Sequence, residues 1–291
     1  MLRLCGLRVS FPIAALFAML VFVPQMASAE SPKCEPDKLA TKYPGLVGKT
    51  AKIGTDGETP PYAMRDPKDF NHLIGLDTEL AEATFKCIGV PIEFKLGAWS
   101  GQLPAVANGQ TDAMWDTLYY TPERAKQMDF VIYLRAATGG MVQKGNPKHI
   151  TSLDDVCGVR ATAGLGTVEE AQFRQLSGKC VEAGRQPIEI VTFPDVPAGA
   201  RLVMNDRADL LLINLGLVDQ FVADNPDKLE RAFTIVTNWK VGVGFNKSNK
   251  ELEQAVADGL KTLRADGTEK KIYDKYHFEY SLAMPIEILT Q

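Results

Sequence analysis

From the amino end, the hydrophobic pattern opens on two bases, Arg3 and Arg8, followed by an unbroken apolar run from Phe11 to Val23. Such a run is shorter than the about 20 residues a helix needs to cross a ~30 Å hydrocarbon core, and the small-x-small triplet Ala27-Ser28-Ala29 comes next. This predicts a signal peptide over residues 1–29, cleaved after Ala29, and export to the periplasm. The alternative is an N-terminal membrane anchor. Cys5 precedes the apolar run, where a lipid-attachment cysteine would follow it.

Beyond this segment, short apolar strands alternate with segments of helical period. Lys52–Thr55 reads as a strand entering a Gly/Pro-rich turn from Gly57 to Pro61, and Leu76, Leu80, Ala83 and Cys87 share one helical face. Ile92–Phe94 is a strand, Trp99–Val106 a short helix, and Asp112–Trp115 and Phe130–Tyr133 are further strands. A turn at Gly145-Asn146-Pro147 begins a second set. There Val159–Ala163 is a strand, and Thr167 opens a helix whose Glu169 and Glu170 suit its positive end. Ile188–Phe193 and Leu210–Ile213 are strands, and Leu252, Val256, Leu260 and Leu263 form a helical stripe ended by Asp266-Gly267. The alternation implies an α/β fold with parallel sheets, and its two sets imply two lobes.

Composition narrows the class without naming a function. The 291 residues are 45% hydrophobic, 23% charged and 8% aromatic, which excludes whole-chain disorder. With 32 Lys+Arg against 36 Asp+Glu the net charge is −4, and loss of Arg3 and Arg8 with residues 1–29 makes it −6. A generic nucleic-acid binder needs the opposite balance. Cys34, Cys87, Cys157 and Cys180 remain after cleavage, in an oxidising compartment, and no Cys-x-x-Cys spacing suggests zinc. Disulfides are expected, with three pairings possible.

Candidate chemistry is sparse. His72, His149 and His277 are far apart, no catalytic signature occurs, and no cofactor or metal is expected. Gly164-Leu165-Gly166 imitates the start of a dinucleotide fingerprint, but Glu169 at the third glycine position would repel a pyrophosphate. Two features suggest anion capture. Arg124, in Thr121-Pro122-Glu123-Arg124, could hold a carboxylate by two parallel hydrogen bonds, or could be a surface base paired with Glu123 or Asp129. Gly166-Thr167-Val168 places backbone N–H groups at a helix start, as an oxyanion cradle or as an ordinary Thr-capped helix.

Five segments in order resemble a known family. They are Gly75–Ala81 (GLDTELA), Trp99–Val106 (WSGQLPAV), Asn108–Asp112 (NGQTD), Thr121–Arg124 (TPER), and Leu260–Thr268 continuing to Ile272-Tyr273. Together they resemble the periplasmic solute-binding proteins of polar amino-acid ABC transporters, extracellular family 3. The resemblance implies a two-lobed periplasmic binding protein of type II, with two parallel-rich sheets flanked by helices and two hinge crossover strands. Residues 30–137 and 240–291 would form lobe 1 and residues 138–239 lobe 2, with crossings near Ala136–Thr138 and Asn238–Lys240. Within that architecture the pairing Cys34–Cys87 and Cys157–Cys180 is favoured, because each pair then stays in one lobe.

The resemblance also assigns roles. Arg124 would clamp a ligand α-carboxylate, helped by amides of Gly166, Thr167 and Val168, the last standing where the family usually has a hydroxyl residue. Trp99 would pack on the ligand, and Asp56 matches an acid that meets basic side chains in some members. Asn214 stands where the family has the aspartate that neutralises the ligand ammonium. A non-standard ligand, or a cation met by Asp56, Glu58 or Asp116, is therefore expected. Thr117 keeps a hydroxyl, Tyr119 replaces a small hydroxyl residue, and Thr59 replaces an aromatic. The implied function is capture of a small carboxylate-bearing solute for an ABC transporter permease, by a monomer that is not an enzyme and binds no nucleic acid. The alternatives are a cyclohexadienyl or arogenate dehydratase using Glu58 or Asp116 as acid or base, and a ligand-presenting partner of a membrane sensor.

Overall fold

The computed structural model describes Leu2, Gly6 and residues 32–290. The expected signal peptide, apart from Leu2 and Gly6, and its cleavage site lie outside the described residues. Among the described residues no helix is long and apolar enough to cross a membrane.

In sequence order the strands are β1 (Ala51–Thr55), β2 (Glu58–Thr59), β3 (Ala63–Asp66), β4 (Asp69–Ile74), β5 (Ile92–Leu96) and β6 (Ala113–Tyr119). They continue as β7 (Met128–Gln143), β8 (Arg160–Gly164), β9 (Glu189–Phe193), β10 (Leu210–Asn214), β11 (Leu229–Asn246) and β12 (Ala283–Leu289). The helices are α1 (Leu39–Lys42), α2 (Leu76–Ile88), α3 (Trp99–Ala107), α4 (Pro122–Ala125) and α5 (Val168–Glu182). After them come α6 (Val196–Met204), α7 (Leu215–Asp224), α8 (Lys250–Ala265) and α9 (Thr268–Lys275).

Nine strands form one sheet in the order β5-β1-β6-β11-β7-β10-β8-β9, with β12 also on β7. Its two parallel groups, β5-β1-β6 and β10-β8-β9, are the sheets of two lobes. They are continuous because β7 and β11 run through both, antiparallel from Leu229↔Gln143 to Asn246↔Met128. The apolar runs Phe130–Tyr133 and Gly140–Val142 therefore belong to one strand. The register of β7 against β11 slips between Val236 and Lys240. There Thr237 Oγ1 donates to the Ala136 carbonyl at 2.6 Å, and Trp239 N–H donates to Thr237 Oγ1 at 3.2 Å. A bulge of this kind bends a strand without ending its pairing.

A second sheet, β2-β3-β4, is antiparallel and escapes the periodicity reading. The segment from Gly57 contains β2, and β4 keeps most side chains exposed, so neither shows an alternating apolar face. The helices follow their apolar stripes more closely. Leu76, Leu80 and Cys87 of α2 are buried, as are Leu252, Val256, Leu260 and Leu263 of α8. Gly259 lets α8 approach α2, since a Cβ there would meet Thr84 Cγ2 at 2.8 Å. The second lobe has its own core around Val142, Ile150, Phe173, Ile188 and Leu212.

Disulfides join Cys34 to Cys87 and Cys157 to Cys180, across separations of 53 and 23 residues. Chain-entropy arguments assign loops of these lengths about 4 and about 3 kcal/mol of stabilisation. Replacing Cys34 and Cys87 by Ser should therefore lower the unfolding free energy in guanidinium titrations by several kcal/mol, and replacing Cys157 and Cys180 by somewhat less. Unchanged midpoints in both variants would show that neither bridge forms in solution.

Candidate functional site

In parallel α/β sheets, ligands sit beyond the carboxyl ends of the strands. Here the ends of β1 and β6 face those of β8, β9 and β10 across a cleft with about 560 Å³ of empty space, its mouth included. Asp56, Trp99, Thr117, Tyr119 and Arg124 line one side. Thr167, Val168, Glu169, Phe193 and Asn214 line the other.

Arg124 reaches this cleft because Thr121 caps the short α4, its Oγ1 accepting from Arg124 N–H at 3.1 Å. The guanidinium donates from Nη1 to the Tyr119 carbonyl at 2.8 Å and from Nη2 across the cleft to the Gly166 carbonyl at 3.0 Å. Its carbon lies 5.3 Å from the centroid of the Trp99 ring, within cation–π range. The surface pairings are not made: Glu123 binds Lys126, and Asp129 binds Lys247 and Lys250. Burial pushes the guanidinium down to about 10, still cationic at neutral pH, and among the described residues it forms no ion pair with an acid.

The helix-start cradle is more occupied than expected. Gly166 N–H donates to Glu170 Oε2 at 2.7 Å, so that amide is not free for a ligand, and Gly166 is not a lining residue of the cleft. Thr167 N–H and Oγ1 both donate to the Gly164 carbonyl, and its Oγ1 caps Glu170 N–H at 3.2 Å. Val168, the first residue of α5, lines the cleft, and the first-turn N–H groups of a helix have no partner within it.

Asn214 does not present a free amide either. Its Oδ1 accepts from Tyr62 OH at 2.8 Å and from Gly216 N–H at 2.9 Å, capping α7, while its Nδ2 donates to Tyr119 OH at 3.0 Å. It ties two tyrosines of the first lobe to a helix start of the second. Tyr119 also packs against Trp239, at 5.5 Å between centroids.

The acids in the cleft divide into two groups. Glu169, read from sequence only as a helix-start acid, is buried on the cleft wall and its carboxyl is raised to about 7. Burial is the main cause, opposed by Arg124 and by the hydroxyls of Thr167 and Tyr119. Asp56 is buried at the end of β1, with Oδ1 accepting from Glu58 N–H at 2.8 Å and from Thr59 Oγ1 at 2.6 Å. Asp116 does not line the cleft, lying behind Asp56 and accepting Asp56 N–H at 2.8 Å, and Glu58 is exposed on β2.

Trp99 serves both the core and the cleft, its Nε1 donating to the Asp116 carbonyl at 3.0 Å. Thr117 is turned to the cleft by a left-handed backbone with φ 49°, which costs a non-glycine residue about 1 kcal/mol or more. Its N–H is held by Asp77 Oδ2 at 2.7 Å, and Tyr133 OH donates to Asp77 Oδ1 at 2.5 Å. Burial raises Asp77 to about 7. Sequence reasoning also missed Tyr62 and the apolar wall of Phe193, Val196, Ile213 and Leu217. The ends of β9 and β10 were a usable signal for that wall.

A two-lobed α/β protein whose interlobe cleft holds a lone guanidinium is a solute receptor by architecture. The sequence profile described as "Bacterial extracellular solute-binding proteins, family 3" matches residues 51–279, and the chain belongs to that family. It is 27% identical over 238 residues to the L-cystine-binding protein TcyJ of Escherichia coli (strain K12), covering 80% of this chain and 86% of that protein. Among solved structures it is similar to an ancestral arginine-binding protein bound to arginine, with TM-score 0.72, 28% identity, and coverage of 78% and 97%. It is also similar to the ancestral amino acid-binding protein AncCDT-1, a precursor of cyclohexadienyl dehydratase, with TM-score 0.69, 27% identity, and coverage of 83% and 98%.

Asp77 and Glu169 hold protons more tightly folded than unfolded. The folded protein therefore carries the extra protons above their unfolded values near 4, and stability falls as pH rises toward about 7. Acids held ionised, such as Asp209 beside Arg160, act in the opposite sense and only below about pH 4. Thermal unfolding should give a higher Tm at pH 5 than at pH 7.5, with the difference reduced in Asp77→Asn. A Tm that rises across that interval would show that these carboxyls ionise normally.

Proposed function

We propose that this protein is the periplasmic solute-binding component of an ABC importer. It captures a small carboxylate-bearing solute, an amino acid or amino-acid-like compound, between its lobes and delivers it to the transporter permease. The observation that carries this reading is Arg124, a cation at the cleft that makes no salt bridge to an acid among the described residues, Glu169 acting on it only through its field. A carboxylate is the group whose geometry matches its planar fork. The Val168 amide and the Thr117 hydroxyl complete the polar cage, and Trp99 supplies a flat wall. Asn214, bound to Tyr62 and Tyr119, links the lobes in place of a ligand contact, and Glu169 is the countercharge for a ligand ammonium.

Closure bends the chain where β7 and β11 slip in register, near Ala136 and Thr237–Trp239, and residues 30–137 with 240–291 move against residues 138–239. Export with removal of residues 1–29, and action as a monomer, belong to the same reading. Relatives that bind amino acids support it, among them the cystine-binding protein and the arginine-bound ancestral protein. A second reading rests on Glu169, a buried carboxyl still protonated near neutrality, which could serve as a general acid for a dehydratase. Formation of an aromatic product from prephenate or arogenate, lost in Glu169→Gln, would establish that reading over the first.

Removing one partner of a desolvated charge pair costs about 2–5 kcal/mol, so Arg124→Ala should weaken solute binding about 30-fold or more in titration calorimetry. Near-unchanged affinity would exclude the carboxylate clamp.

A further inference from the structure

Beside the clamp lies a pair of buried carboxyls that it does not use. Asp56, 8% exposed, ends β1 at the cleft, and Asp116, fully buried, ends the regular part of β6 directly behind it. The Asp56 N–H donates to Asp116 Oδ2 at 2.8 Å, which fixes one carboxyl against the backbone of the other residue. Thr59 Oγ1 is bound to Asp56 Oδ1 and lies beside the Asp116 carboxyl. Among the described residues no cation binds these two carboxyls, whose partners are backbone N–H groups, the Thr59 hydroxyl and each other. Asp56 Oδ2, Asp116 Oδ1 and the Thr117 hydroxyl have no partner among the described residues. The other charged groups facing the pair are acids, Glu58 at the rim and Asp77 from α2, the latter bound to Tyr133 of β7.

Two carboxyls confined this closely and out of water cannot both ionise without a compensating cation. We infer that Asp56 and Asp116 share one proton, and that a solute bearing a second cationic group at its far end binds by displacing it. The inference rests on the carboxylate clamp, which places the other end of the solute at Arg124. Burial raises both carboxyls; the charge of Asp56 raises Asp116 further, while a hydrogen bond from the Asp116 carboxyl favours ionised Asp56. The free protein thus keeps the pair at a single negative charge. Entry of a guanidinium or ammonium supplies the missing countercharge, the proton leaves to solvent, and the unpartnered Asp56 Oδ2 at the cleft gains a donor. A solute with a neutral far end takes its hydrogen bonds with the proton retained. Asp116, fully buried behind Asp56 and the more strongly raised of the two, is the member that holds the proton and makes the site proton-linked.

The test has two arms. Infrared titration of the ligand-free protein should show, beyond the bands of Asp77 and Glu169, a protonated carboxyl band that persists well above the ordinary carboxylate range, is lost in Asp116→Asn and titrates at lower pH in Asp56→Asn. Absence of that band, its survival in Asp116→Asn, or an unchanged midpoint in Asp56→Asn would overturn the shared proton. Calorimetry in buffers of different ionisation enthalpy should then find about one proton released per L-arginine bound and none per L-glutamine. The affinity for L-arginine should rise up to about tenfold per pH unit in the wild type and stay flat in Asp116→Asn. Binding of L-arginine without proton release would overturn the exchange. Binding of L-glutamine alone, or of neither, would overturn it and leave the receptor reading to the wider solute screen.

Discussion

A guanidinium held at a cleft without an acid of its own is the constraint around which the site is organised. Partial burial makes the Arg124 charge costly, and the protein offsets that cost only in part, with two backbone carbonyls, the face of Trp99 and the field of the Glu169 carboxyl. Neutral acceptors can orient a guanidinium, yet charge-assisted bonds are about twice as strong. The remaining stabilisation has to arrive with a partner. A small acid is the economical choice, because it brings the countercharge and the matching fork geometry together.

The fold makes that arrangement possible at a distance from its own core. The strands β7 and β11 run through both lobes, so the ends of β1 and β6 are held opposite those of β8, β9 and β10. Arg124 and Gly166 then meet across the gap, as do Tyr62 and Tyr119 with Asn214. The replacement of an acid by Asn214 gains a consistent sense here. A charged aspartate would accept from both tyrosines but could not donate to Tyr119, whereas the amide satisfies both hydroxyls and the α7 cap.

Much of this was legible in the sequence where a single physical rule acted alone. The stripes of α2 and α8, the apolar β10, and the Thr-capped start of α5 follow from burial and capping, and they appear where the pattern placed them. The β2-β3-β4 sheet was not legible, because its exposed β4 has no apolar alternation to detect. At the site, residue types were visible and their pairings were not. Gly166 looked like a free amide because nothing in the sequence announces that Glu170 folds back onto it. Glu169 looked like a dipole-satisfying acid, and only tertiary burial turns it into a cleft carboxyl raised to about 7. Asp116 was visible as a candidate acid, but its position behind Asp56, which is remote in sequence and adjacent in space, was not.

The central claim is that the cleft recognises a carboxylate, and matched solutes test it most directly. Thermal unfolding would be followed with amino acids, opines, compatible solutes and plain carboxylates, each beside its uncharged amide. A solute at 100 times its Kd stabilises the folded state by about 2.7 kcal/mol, a shift of several degrees. The expected result is a clear rise in Tm with at least one carboxylate and none with its amide. An amide that raises Tm as much as its parent acid would contradict the clamp.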